Sequence, residues 1–220
     1  MIKVSPSELL TFFDEKPRES DGHATAIVAV AGEELGVALL LEYLRSIGRQ
    51  ATALLGPVTP GTTKGARLDR WVKVSDQPPL LYQVEVKNSS AHAFHGKQLK
   101  IDADKNALEE YARREWASVW NGATFTHASM SKVLSPMKSP EPGVRVEPVI
   151  CFWVFCNLEP FVTVPLGVEH EPFREVHVFS MSAYLRTCGR RELLLDMPFT
   201  ERRLTWLTRL FRVTSRHDDA

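Results

Sequence analysis

Residues 68–88 read LDRWVKVSDQPPLLYQVEVKN, and the organisation of the chain follows from how this stretch folds. Leu68, Trp71, Val72 and Val74 make one strand-like run, and Leu80, Leu81, Tyr82, Val84 and Val86 make a second, both rich in β-formers. Between them, Ser75-Asp76-Gln77-Pro78-Pro79 has the composition of a turn. The stretch therefore predicts a hairpin. Along its second strand Tyr82, Val84 and Val86 share one face, while Gln83, Glu85 and Lys87 share the other. The isolated Asp69 on the first strand then meets Glu85-Val86-Lys87 on its partner, and two carboxylates and an ammonium gather at one end of a sheet.

That layout suits hydrolysis of a phosphodiester, in which charge builds on the scissile phosphate and no covalent intermediate with the protein is required. Hard oxygen ligands such as Asp69 and Glu85 hold Mg²⁺, which keeps several waters and binds phosphate directly. The metal acidifies a water and acts as a Lewis acid, and Lys87 can position that water or neutralise developing charge. Acid-X-Lys alone is a common triplet. Asp14-Glu15-Lys16 also fits it, yet lies in a polar stretch, 14–22, that carries Pro and Gly and has no strand pattern, so it reads as a solvated loop. For Glu85 and Lys87 the plain alternative is a surface ion pair on an antiparallel strand.

Upstream, Ala24 to Gly48 predicts a helix, since Val28, Val30, Ala31, Leu35, Val37, Leu39, Leu40, Leu41, Tyr43 and Leu44 are too densely apolar for a surface element. Gly48 supplies the stop. Glu33 and Glu34 are the only acids of that helix before Glu42, and Glu33 has Val37, Leu40, Leu41 and Leu44 at helical offsets on its own face. A carboxylate where such a face meets a sheet edge needs a partner, a metal or water.

The succession of Glu33-Glu34-Leu35-Gly36-Val37-Ala38-Leu39-Leu40, Asp69 and Glu85-Val86-Lys87 resembles the PD-(D/E)XK nuclease superfamily, the fold of many restriction endonucleases, Holliday-junction resolvases and recombination exonucleases. The resemblance spans roughly residues 24 to 157 and rests on a short motif whose order and context carry it. It implies that Glu33, with Glu34 as the alternative, is the helix acid, that Asp69 and Glu85 are metal ligands, and that Lys87 is the catalytic lysine. It also implies the Val86 backbone carbonyl as a further ligand, Mg²⁺ as cofactor with Mn²⁺ as substitute, and DNA as the favoured substrate of an endonuclease. Leu68 stands where the family often has Pro, a departure many members share.

The implied fold is α/β, a restriction endonuclease-like αβββαβ core with a mixed sheet flanked by helices and a C-terminal β/α extension. Gln50–Leu55 fits the first strand. Leu108, Tyr111, Ala112, Trp116 and Val119 recur at helical spacing within Ala103–Trp120, predicting a second helix. Glu147–Leu158 predicts a strand buried on both faces. Residues 1–23 read as an N-terminal segment, 24–158 as the core and 159–220 as an extension packed on the same domain. Within the core, 121–147 is expected as a long flexible insertion. Its Ser-, Thr-, Pro- and Gly-rich part, Asn121 to Gly143, carries Met130, Lys132, Met137 and Lys138 as candidate substrate contacts. Phe161–Leu166 and Val176–Phe179 predict strands, and Thr200–Val213 an amphipathic helix with Leu204, Trp206, Leu207, Leu210 and Phe211.

At 220 residues and 44% hydrophobic content the chain can bury a full core. No apolar run approaches the about 20 residues needed to span a bilayer, and the start lacks a secretory apolar core, so a cytoplasmic protein without membrane contact is expected. Three cysteines, Cys151, Cys156 and Cys188, with no Cys-X-X-Cys, argue against a disulfide scaffold and a zinc ribbon. Net charge is zero, but its distribution is uneven: from Arg186 to Arg216 eight arginines face three acids, whereas residues 1–45 carry eight acids and four bases. Arg202 and Arg209 on the last helix are thus candidate phosphate contacts. So are Lys64, Arg67 and Arg70, which with Lys73 form a basic cluster around Asp69, and Ser89, His92, His95 and Lys97 just past Lys87. Nucleic acid is the expected partner, and a homodimer or a larger defence, repair or transposition complex would supply a second site for the second strand. An inactive subunit of the same fold that binds nucleic acid or docks a protein, and a metal-independent α/β module, are the alternatives.

Overall fold

The computed structural model describes residues 1–14, 21–54, 68–87, 134–152, 159–166 and 171–210. Twelve elements are defined there: β1 (Ile2–Val4), α1 (Pro6–Asp14), α2 (Asp21–Ser46), β2 (Ala51–Ala53), β3 (Arg70–Val74), β4 (Leu80–Lys87), β5 (Arg145–Phe152), β6 (Phe161–Pro165), β7 (Glu175–Ser180), α3 (Met181–Thr187), β8 (Leu193–Leu195) and α4 (Pro198–Leu210). The fold is mixed α/β. Six strands form one mixed sheet in the order β2-β3-β4-β5-β7-β6, and β1 pairs with β8 in a separate two-stranded sheet.

The expected hairpin is present. β3 and β4 are antiparallel with Arg70 opposite Val84 and Val74 opposite Leu80, and β2 extends the sheet antiparallel to β3. β4, β5 and β7 run parallel, with Lys87 beside Phe152 and Phe152 beside Ser180, so their carboxyl ends share one edge. β6 closes the far side antiparallel to β7. A parallel pair such as β4 and β5 requires a long crossover. The helix expected at 103–120, which would make it, lies outside the described residues.

Alternation along the strands builds two apolar layers. Val72, Val74, Tyr82, Val84, Val86, Val149, Cys151 and Phe179 pack with Leu35, Val37, Leu39, Leu40 and Leu44 of α2 and with Met181, Tyr184 and Leu185 of α3. On the other face Leu68, Trp71 and Leu81 meet Met137, with Val144 and Val146 alongside. α2 stops where Gly48 takes φ +84°, and the Gly48 and Arg49 amides donate back to the Arg45 and Leu44 carbonyls.

Three differences from the sequence reading concern extents. β5 already begins at Arg145, inside the stretch expected as loop. The described part of that loop is fastened to the sheet: the fully buried Gln83 side chain donates to the Ser135 carbonyl at 2.8 Å and accepts from the Met137 amide at 3.0 Å. Met137 is consequently a core residue and not a surface contact. α1 and β1, within a segment given no structure of its own, are ordered elements, with β1 paired to β8 (Ile2 opposite Leu195) and α1 against α3.

Candidate functional site

The β3–β4 register, continued one residue beyond Arg70 and Val84, sets Asp69 opposite Glu85. The Asp69 carboxylate in fact accepts the Val86 backbone N–H at 2.7 Å, replacing the ladder bond that β3 no longer supplies there. Within an extended strand a residue's N–H and C=O point to the same side, so the Val86 carbonyl also faces the Asp69 side. Glu85 is 6% exposed. Burial, and after it the charge of Asp69, push the Cys151 thiol well above its ordinary value. Cys151 therefore stays protonated and serves as a small apolar residue. Lys87 ends β4 beside Phe152, and its side chain lies outside the described part of the structure.

α2 reaches the same edge from the other face. Its C-terminal end leads into β2, whose Ala51 pairs with Val74, which in turn pairs with Leu80 at the start of β4. Gly36 instead touches Val86, near the end of β4, so α2 runs antiparallel to β4. Glu33, three residues before Gly36, lies about 4.5 Å further along the axis, toward the edge that holds Asp69, and is exposed. Glu34 has a different employment. Its carboxylate accepts from the amides of Phe199 at 2.9 Å and Thr200 at 2.6 Å, and from the Thr200 hydroxyl at 2.6 Å, satisfying the N-terminus of α4.

Of the expected phosphate contacts, Arg70 lies over the Phe199 ring at 5.6 Å. Arg202 is exposed on α4, and Arg209 is exposed there over Trp206 at 5.6 Å. Lys64, Arg67, Ser89, His92, His95 and Lys97 lie outside the described residues, as does Cys156.

A second cluster, which the sequence reading missed, sits at the opposite, amino-terminal end of the parallel strands. Glu147 on β5 and Glu175 and His177 on β7 bring one ligand atom each within 4.8 Å of the others, and this group could hold a metal ion. His177 Nε2 is 2.7 Å from Glu147, and Nδ1 is 2.9 Å from the Thr163 hydroxyl on β6. Phe161 stacks on the imidazole at 5.3 Å and Tyr82 meets it edge-on at 5.5 Å. Arg145 pairs with Glu147 and, at 3.6 Å, with Glu175. Burial alone would raise the Glu147 carboxyl, but the hydrogen bond and charge of His177, then Arg145 and Arg49, hold it below the ordinary range. Arg49 also binds the Tyr82 hydroxyl and Asp76, each at 2.7 Å. The signal available in sequence was Glu175-X-His177, an acid and an imidazole on one face of a strand. Glu147 is far upstream and joins them only through the β5–β7 pairing.

Among the described residues no helix is long and apolar enough to cross a membrane. No protein-family model, curated protein or solved structure matches the chain.

Proposed function

We propose that the protein is a divalent-metal-dependent nuclease, a DNA endonuclease by preference, working at the edge formed by Asp69, Glu85 and Lys87. The observation that supports this reading is the Asp69–Val86 hydrogen bond, which together with the hairpin register sets Asp69 beside Glu85 at the carboxyl edge of a mixed sheet. Ligands in α/β sheets bind at that edge as a rule. Asp69, Glu85 and the Val86 carbonyl are all hard oxygen donors, the set Mg²⁺ favours, with Mn²⁺ as substitute.

When bound, Mg²⁺ would supply an acidified water and a Lewis acid for the scissile phosphate. The chain's own contribution is orientation. The Val86 N–H fixes the Asp69 carboxylate, burial restricts Glu85, and Lys87 offers an ammonium to offset charge on the phosphate. Glu33, on the α2 turn beyond Gly36, is the better candidate for the helix acid, because Glu34 is engaged with α4. Arg202 and Arg209 on the exposed side of α4 would meet backbone phosphates.

A second reading draws on the same bond: Asp69 already has a structural task in satisfying Val86, as it would in a nuclease-fold subunit that binds nucleic acid or a protein without cutting. Incubation of the purified chain with single- and double-stranded DNA and RNA in Mg²⁺ or Mn²⁺ separates the two. Cleavage is expected to vanish on chelation and with Asp69→Asn or Glu85→Gln, and to fall by about 10²–10³-fold with Lys87→Ala. Binding without cutting under every condition, or cutting that survives these substitutions, contradicts the proposal.

A further inference from the structure

We propose that Glu147, Glu175 and His177 form a second cation site, suited to a transition metal of the Zn²⁺ class, at the end of the sheet opposite Asp69 and Glu85. Geometry is the first ground. Val149 is opposite His177 in the parallel register of β5 and β7, so the same register sets Glu147 opposite Glu175, all on one face. Three potential ligand atoms are thereby delivered by two adjacent hydrogen-bonded strands and not by loops.

Orientation of the imidazole is the second. His177 is 7% exposed and held by Phe161 and Tyr82. The Thr163 hydroxyl, from β6 on the far side, engages Nδ1 and turns Nε2 toward the carboxylates. Metal-binding histidines are oriented by a hydrogen bond at the ring nitrogen that does not face the metal, and the Thr163 hydroxyl occupies that position here. One imidazole and two carboxylates suit Zn²⁺ and its neighbours better than Mg²⁺, which prefers oxygen throughout.

Charge is the third. Two carboxylates side by side attract a cation, and beside His177 it is Arg145 that reaches both Glu147 and Glu175, although its side chain is 68% exposed. An exposed guanidinium loses little when displaced into water, so Arg145 is a competitor that a divalent ion can replace. A bound ion would clip β5 to β7 and, through Thr163, stiffen the β6 edge, adding binding free energy to the native state.

The test uses the full chain carrying Asp69→Asn and Glu85→Gln, so that its outcome is independent of the nuclease proposal. Calorimetric titration with Zn²⁺ alone is expected to show saturable binding at one equivalent and a raised melting temperature. Thr163→Val should weaken binding by about tenfold or more, His177→Ala should abolish it, and Arg145→Ala should tighten it several-fold. Thr163 is exposed, so its variant keeps the test decisive if His177→Ala folds poorly. Absence of saturable binding, or an affinity that Thr163→Val leaves unchanged, overturns the site and assigns the cluster to an ordinary ion-pair network.

Discussion

Gly36 carries no side chain, and the approach of α2 to the end of β4 depends on that. A Cβ at this position would lie 2.5 Å from Val86 Cγ1, 3.2 Å from Cγ2 and 3.4 Å from Met181 Sδ. Val86 is β-branched and locked in a strand, so it cannot swing aside. Gly36→Ala gains about 0.5–1 kcal/mol of helix propensity, but overpacking a core costs about 1–3 kcal/mol. Net destabilisation is expected in urea unfolding, with partial rescue by Val86→Ala in the same chain; an unchanged or raised stability would mean that the contact is looser. At the other edge, Glu147 titrates below its ordinary 4.5 because His177, Arg145 and Arg49 favour its charged form against burial. A depressed carboxyl contributes its stabilisation in full above the unfolded pKa and loses it as pH falls through the folded one. As pH falls from about 6 to well below 4.5 the wild type should therefore lose more stability than Glu147→Gln, and parallel pH profiles would contradict this.

Among the elements, α4 shows most clearly what helix ends require. Pro198 opens it, and the amides of Phe199 and Thr200, which no intrahelical carbonyl can satisfy, are satisfied by Glu34 of α2. Glu34→Ala should cost about 0.5–2 kcal/mol and speed hydrogen exchange at Phe199 and Thr200. Faster exchange is not expected from Glu33→Ala. The dense apolar pattern of 35–44 made α2 legible in advance, and alternation with turn residues between the runs made β3 and β4 legible. β1 and β8 were not, because three-residue strands carry no period and Ile2 and Leu195 lie near opposite ends of the sequence. α1 did leave a mark that went unread: Ser5-Pro6-Ser7-Glu8 has the capping spacing, with Pro at the first helical position, and the Glu8 amide donates to the Ser5 hydroxyl at 3.3 Å.

For the molecule as a whole, the parallel run of β4, β5 and β7 gives the sheet two chemically distinct ends. Asp69 and Glu85 gather at the carboxyl end, where adjacency was readable because both lie in one hairpin. Glu147, Glu175 and His177 gather at the amino end, where adjacency required knowing that β5 pairs directly with β7, with β6 on the outer side of β7. Local pairing is written in alternation and turn composition, whereas non-local pairing depends on which buried strands pack together, and short apolar runs do not specify that. The role of Glu34 was hidden for the same reason, since its partner Thr200 lies on the last described helix. The central claim is that the acids at the β3–β4 edge converge on one cation. An anomalous difference map from a Mn²⁺-soaked crystal of the unmodified chain tests it most directly: the account predicts a peak about 2.0–2.3 Å from carboxylate oxygens of both Asp69 and Glu85 and from the Val86 carbonyl, and a map with no peak between those two acids contradicts it.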